Sequence, residues 1–196
     1  MPDIKLHKSE KAFHYEGKAT PLEQVFNFIG KDKSLYLYAS GGIGKTVSLR
    51  TFWLDFLSGK HDIPCIYVEL KLLEASHKDT AIKQYISIQY KLDLGVLNDG
   101  STKPVLLLDA ANEAHFNLLE KGTDKDSYLL KECKRLISDG FRLIISSRSS
   151  FIDRDGEFGA SMEYCKLCGL TDDQRKIVIS DEALTIRRYG IYCKTI

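Results

Sequence analysis

A chain of 196 residues, 43% hydrophobic and 28% charged, has the composition of one folded α/β domain and hardly the length for two. Its 28 basic residues stand against 27 acidic ones, a formal net charge of +1, which gives no electrostatic case for nucleic acid or an anionic membrane as partner. No apolar run approaches the ~18 residues of a membrane span. The N-terminus lacks the apolar core of a secretory signal, and the five cysteines read as reduced thiols of a cytoplasmic protein.

Residues 1–20 are polar, with a short strand-like patch at 12–15. Leu22, Val25, Phe26 and Ile29 then show helical spacing, with Pro21 in the first turn and Gly30 past the end. Residues 34–39 form an apolar and aromatic strand that runs into a glycine-rich turn. Beyond the turn, Leu49, Phe52, Trp53, Phe56 and Leu57 fall on one wide helical stripe stopped by Gly59. Trp53 belongs to that stripe and reads as core, not as a base-stacking platform. A second strand covers 64–70. The spacing of Ile82, Tyr85 and Ile86 predicts a helix over 78–92, and Asp99-Gly100 is a turn.

Val105–Asp109 is an apolar run ending in an acid, the pattern of a strand buried on both faces. After a charged loop at 121–126, Leu129, Leu130, Cys133, Leu136 and Ile137 mark a helix over 127–138 that ends at Gly140. Residues 143–145 are a fourth buried strand leading into Ser146, Ser147 and Arg148. A polar loop at 151–162 and a fifth strand at 164–167 follow. Thr171 then opens a helix as N-cap, with Asp172 and Asp173 in its first turn. Strands alternating with helices predict a parallel sheet with helices on both faces.

The glycine-rich turn carries the strongest chemical signal. Ser40, Gly41, Gly42, Ile43, Gly44, Lys45, Thr46 and Val47 lie between a buried strand and the start of a helix. That context turns the backbone N–H groups and the helix N-terminus towards one point and binds the phosphates of a nucleotide. Lys45 would reach the β/γ-phosphates and Thr46 would offer its hydroxyl to Mg²⁺. The pattern opens on Ala39 in place of a glycine, while Gly41, Gly42 and Gly44 keep the loop backbone free.

Ligands of open α/β sheets bind at the carboxyl ends of strands, where the loop, Asp109 and Arg148 all fall. Asp109 is placed to hold Mg²⁺, a hard cation that keeps part of its water shell. Glu113, four residues on, suits the orientation and deprotonation of water attacking a γ-phosphate. Arg148 can read the γ-phosphate with its planar fork and so distinguish ATP from ADP. Arg154 is a weaker candidate for a contact with a neighbour's nucleotide. Cys165-x-x-Cys168 lacks a partner pair at zinc spacing, because every histidine lies at or before position 115; buried thiols are the simpler reading.

Three runs resemble the NACHT branch of the STAND ATPases: Gly41-Gly42-Ile43-Gly44-Lys45-Thr46, Leu106 to Glu113, and Ile144 to Arg148. The segment 164–174 is similar to the stretch that leads into that family's helical subdomain, so the likeness covers roughly residues 20–180. The resemblance implies a P-loop NTPase, a three-layer α/β/α sandwich whose mainly parallel five-stranded sheet has the order 5-1-4-3-2. It implies a nucleotide-binding domain over 1–168, with an N-terminal helix near an adenine pocket, and the start of a truncated helical subdomain over 169–196. It also implies a slow ATPase switch, holding ADP at rest and ATP with Mg²⁺ when triggered and self-associated. By resemblance Lys45 and Thr46 serve phosphate and Mg²⁺, Asp109 the metal, Glu113 the water and Arg148 the sensing of nucleotide state.

Two departures bear on activity. Ala110 stands where the family often has glycine, and Asn112 where it often has a second acid, which implies weak hydrolysis. The winged-helix, sensor and effector parts of the family are not in these 196 residues, so the expectation is a fragment of a larger signalling or defence protein, or else a minimal module. Two other readings stay open. One is a small-molecule or nucleoside phosphotransferase, which lacks support from an arginine-rich lid after the fourth strand. The other is a non-catalytic scaffold that keeps ADP as a structural cofactor.

Overall fold

Strand and helix alternate in the computed structural model, which describes residues 4–7, 34–60, 62–96, 103–120, 126–148 and 162–167. The chain order is β1 (Ile4–His7), β2 (Ser34–Tyr38), α1 (Lys45–Leu57), β3 (Cys65–Glu69), α2 (Ala81–Tyr90), β4 (Val105–Asp109), α3 (Phe116–Leu119), α4 (Tyr128–Ser138), β5 (Arg142–Ser147) and β6 (Met162–Leu167). Short 3-10 turns at Leu70–Leu72, Ala75–His77 and Ala111–Glu113 link these elements. The helix expected around 22–29, the patch at 12–15, Arg154, Cys168 and the helical start at 169–196 lie outside the described residues, as does most of the 151–162 loop.

The sheet order is β1-β6-β2-β5-β4-β3. Counted from β2, the five strands other than β1 run 5-1-4-3-2 and every pairing among them is parallel, as expected. The sequence reading did not anticipate β1, which adds an antiparallel edge strand beside β6 with Ile4 opposite Leu167. Four residues of weak alternation inside a polar stretch carry too little periodicity to be seen.

Period-two alternation divides the sheet into two apolar faces. Leu35, Leu37, Cys65, Tyr67, Val105, Leu107, Ile144, Cys165 and Leu167 form one face, under Leu49 and Phe52 of α1. Tyr36, Tyr38, Ile66, Val68, Leu106, Leu108, Leu143, Ile145 and Tyr164 form the other, against Ile82 and Ile86 of α2 and Leu129, Cys133 and Leu136 of α4. β4 is buried along its whole length. The result is the three-layer sandwich that the sequence implied.

The α1 stripe is narrower than its spacing predicts. Leu49 and Phe52 are buried and Trp53 and Phe56 pack against the same cluster, but Leu57 is 59% exposed. At about 100° per residue Leu57 sits roughly 80° round from Leu49, at the edge of the face that meets the sheet. β5 is longer than its apolar run, because Ser146 and Ser147 remain in the strand and are fully buried.

The two helices on the far face are joined by a buried carboxylate. Glu132 of α4, 1% exposed, accepts the N–H groups of Ile82 at 3.0 Å and Lys83 at 3.1 Å, so it caps the first turn of α2 from another helix. Burial pushes its carboxyl above the ordinary 4.5, against the two backbone hydrogen bonds and the Arg135 and Lys83 cations. Glu132→Ala orphans both donors and is expected to cost about 2 kcal/mol in urea denaturation. Because the folded-state pKa is raised, the proton-linked part of Glu132's contribution is full below the unfolded carboxyl value and is lost as pH rises through the folded one. The gap between wild type and Glu132→Ala is therefore expected to narrow as pH rises from about 4.

Candidate functional site

The carboxyl ends of β2, β4 and β5 open into one cleft of about 290 Å³. One wall is the glycine loop, where Gly42 (φ +76°) and Gly44 (φ +103°) take left-handed conformations that strain any residue with a Cβ. Those two turns lead directly into α1, which starts at Lys45 with Gly44 as its N-cap. Gly41, Gly42, Gly44, Lys45, Thr46 and Val47 line this wall, and Asn112, Glu113 and Arg148 line the opposite one. Ser40 and Ile43 are not among the lining residues. Ser40 lends its carbonyl to Lys45, and Ile43 turns back against the α1-side cluster.

Lys45 curls over its own loop, donating to Ala39 O and Ser40 O at 2.9 Å each. Burial lowers its pKa first and the nearby Arg148 cation second, while Asp109 and Glu113 pull the other way. Two cations, Lys45 and Arg148, and one carboxylate, Glu113, therefore line the cleft.

Asp109 lies beneath the cleft, 5% exposed, and not on its wall. Its Oδ2 accepts the Tyr67 hydroxyl at 2.7 Å and its Oδ1 accepts the Ser146 hydroxyl at 2.6 Å. Tyr67 in turn accepts Arg50 Nε at 3.1 Å, and the same guanidinium reaches Glu69 Oε1 at 2.8 Å. Burial and the bond to Asp109 push the Tyr67 phenol far above its ordinary range, so it remains a donor at any working pH. Ser146 Oγ also accepts the Ala110 N–H at 2.9 Å.

Ala110, at φ 60° and ψ 53°, is a left-handed residue without the glycine that such a position favours. Its turn lifts the 3-10 segment Ala111–Glu113 towards the cleft and brings Asn112 and the exposed Glu113 to the rim. Asn112 Oδ1 accepts the Ser147 hydroxyl at 3.1 Å and the Arg148 N–H at 3.2 Å, while the Tyr36 hydroxyl donates to Arg148 O. Arg148 is thus held by its backbone on both sides with its side chain at the cleft.

Lys45, Thr46, Glu113 and Arg148 all line this cleft. Tyr67, Arg50 and Ser146 were not singled out for a role at the site. Tyr67 and Ser146 could have been found from parity: Tyr67 precedes the strand-end Glu69 by two, and Ser146 continues the phase of Ile144, so both point to the same sheet face as Asp109. For a metal, the Thr46 hydroxyl and Asp109 carboxylate are hard oxygen donors of the type that Mg²⁺ takes. Each carboxylate oxygen retains a lone pair beyond the one that its hydroxyl donor uses, so the donor set fits that ion. Cys165 is fully buried in the α1-side cluster.

No protein-family model matches the chain, and no curated protein matches it. Among solved structures, Cdc6p from Pyrobaculum aerophilum aligns with a TM-score of 0.54 and 17% identity over 92% of this chain and 54% of that one. A DNA replication initiation factor gives 0.48 at 14% identity over 95% and 56%, and AMPPCP-bound DnaA from Aquifex aeolicus gives 0.46 at 15% over 96% and 57%. The chain spans just over half the length of these structures. Likeness at such identities is one of fold. With its sheet order, the chain has the α/β fold of a P-loop NTPase.

Tyr67→Phe removes one of the two donors to a buried carboxylate without opening a cavity. It is expected to lower stability by about 1–3 kcal/mol, read from the urea midpoint at unchanged slope.

Proposed function

We propose that this chain is an ATP- and ADP-binding switch module of the STAND/NACHT kind and a slow Mg²⁺-dependent ATPase. The observation that carries the reading is that Lys45, Arg148 and Glu113 meet across the glycine loop in one cleft. The loop N–H groups and Lys45 hold the phosphates, with Lys45 exchanging its two carbonyl acceptors for phosphate oxygens. Arg148 contacts the terminal phosphate as the sensor of nucleotide state, and Glu113 orients water for attack on it. Thr46 and Asp109 would hold Mg²⁺, which when bound offsets the charge of the phosphates.

Asn112 in place of a second acid and an Asp109 already engaged by two hydroxyls both favour slow turnover. They also support the alternative of an ADP-holding scaffold that does not turn over. The module acts as part of a longer signalling or defence protein in the cytoplasm, through self-association or attached sensor and effector domains. No helix among the described residues is long and apolar enough to cross a membrane.

The test is to denature the purified protein, identify any released nucleotide by chromatography, and titrate ATP and ADP with Mg²⁺. Lys45→Ala is expected to weaken nucleotide binding about 100-fold, the equivalent of losing two charge-assisted hydrogen bonds. Glu113→Gln is expected to keep affinity and lower turnover by about 100-fold. Equal turnover in wild type and Glu113→Gln removes Glu113 from the mechanism. Retained ADP with no turnover in either supports the scaffold.

A further inference from the structure

Asn112 carries information that its place on the cleft wall does not by itself reveal. The backbone N–H of Arg148 can only donate, so the atom it meets at 3.2 Å is the amide oxygen, and the Ser147 hydroxyl at 3.1 Å converges on the same atom. The orientation of the amide is therefore fixed by its partners. Its oxygen is turned to the end of β5, which leaves the Nδ2 group as the polar atom that Asn112 can offer to the cleft it lines. Among the described residues no acceptor meets that NH₂ group.

The charges around it make this neutral donor consequential. Lys45 and Arg148 contribute two positive charges, and Glu113 and the underlying Asp109 contribute two negative ones, so the charges around the cleft balance. A carboxylate at 112 would leave the balance at minus one before any anion arrives, and it would replace a donor with an acceptor. An amide does neither.

We infer that Asn112 is a nucleotide-contacting residue whose Nδ2 group donates to a phosphate oxygen at the Arg148 end of the cleft, and that it lets the site take nucleotide free of Mg²⁺. The inference rests on the nucleotide-binding reading above and deepens it: the same site takes the ADP or ATP anion with or without Mg²⁺. Asn112 then has two separable functions: Oδ1 holds the backbone of Arg148, and Nδ2 holds the ligand.

Two variants separate them. Asn112→Asp keeps an oxygen for Ser147 and for the Arg148 N–H, while it turns the cleft-facing donor into an acceptor and adds one negative charge. Asn112→Ala removes both. Calorimetric titration of the full chain with ADP, in EDTA and again in excess Mg²⁺, reads the result, with thermal melts of each variant as the check on folding. Wild type is expected to bind ADP in both buffers within about threefold. Asn112→Asp is expected to bind about tenfold or more weaker in EDTA, the scale of one lost charge-assisted contact, and to recover to within about threefold of wild type in Mg²⁺. Asn112→Ala is expected to bind weakly in both buffers. Asn112→Asp indistinguishable from wild type in EDTA overturns the inference while leaving nucleotide binding intact. A folded wild type that binds ADP in neither buffer overturns the nucleotide reading itself, and the inference with it.

Discussion

A carboxylate at the end of a strand buried on both faces is the constraint from which the rest of the site follows. Asp109 is 5% exposed, and an unpaired charge at such depth costs several kcal/mol. Its two oxygens are satisfied by hydroxyls from the strands on either side, Tyr67 of β3 and Ser146 of β5. Three adjacent strands are thereby held in one register, because a slip of one residue would send Tyr67 or Ser146 to the opposite face. The same bonds propagate outward: Ser146 takes the Ala110 N–H, Ala110 turns left-handed, and the short 3-10 segment then delivers Asn112 to the backbone of Arg148.

Tyr67 also ties this network to both helical layers. Trp53 of α1 stacks on its ring at 5.6 Å, and Arg50 of the same helix meets both the ring and the hydroxyl. From the other side, the Tyr90 hydroxyl of α2 donates to the Tyr67 carbonyl at 2.5 Å. The helix that carries Lys45 at its first turn thus packs on the residue that positions Asp109. The two walls of the cleft are connected through side chains as well as through the sheet.

Most of the fold was legible because its signals are long and redundant. Five buried strands and three helices each present several turns or pleats of apolar periodicity, and the glycine loop marks the switch between the two periods. The loop, Asp109 and Arg148 could be placed for the same reason, since each lies at a strand end that the apolar pattern defines, with Glu113 in the turn after Asp109. What escaped depends on cross-strand register. Parity puts Tyr67 and Ser146 on the sheet face of Asp109, but only the register of β3, β4 and β5 brings them, and Arg50 behind Tyr67, into contact with it. β1 escaped because four residues carry no usable period. The exposure of Leu57 escaped because a stripe drawn from spacing has no knowledge of how wide a face the sheet offers.

Charge accounting explains what such a site can and cannot use. The chain carries a formal net charge of +1, and the two cations of the cleft are set against Glu113 on its wall and Asp109 beneath it. An approaching polyanion gains little from the long-range field, so salt-sensitive steering contributes little to its capture. On the nucleotide-binding reading proposed above, recognition comes from short-range donors: the loop N–H groups, the first turn of α1, Lys45, Arg148 and Asn112. Two of the three Lys45 N–H donors already engage Ala39 O and Ser40 O, so a phosphate that takes those two displaces existing bonds and gains only the difference. A site built on exchange in place of attraction discriminates by geometry, and the turns at Gly42, Gly44 and Ala110 are where that geometry is set.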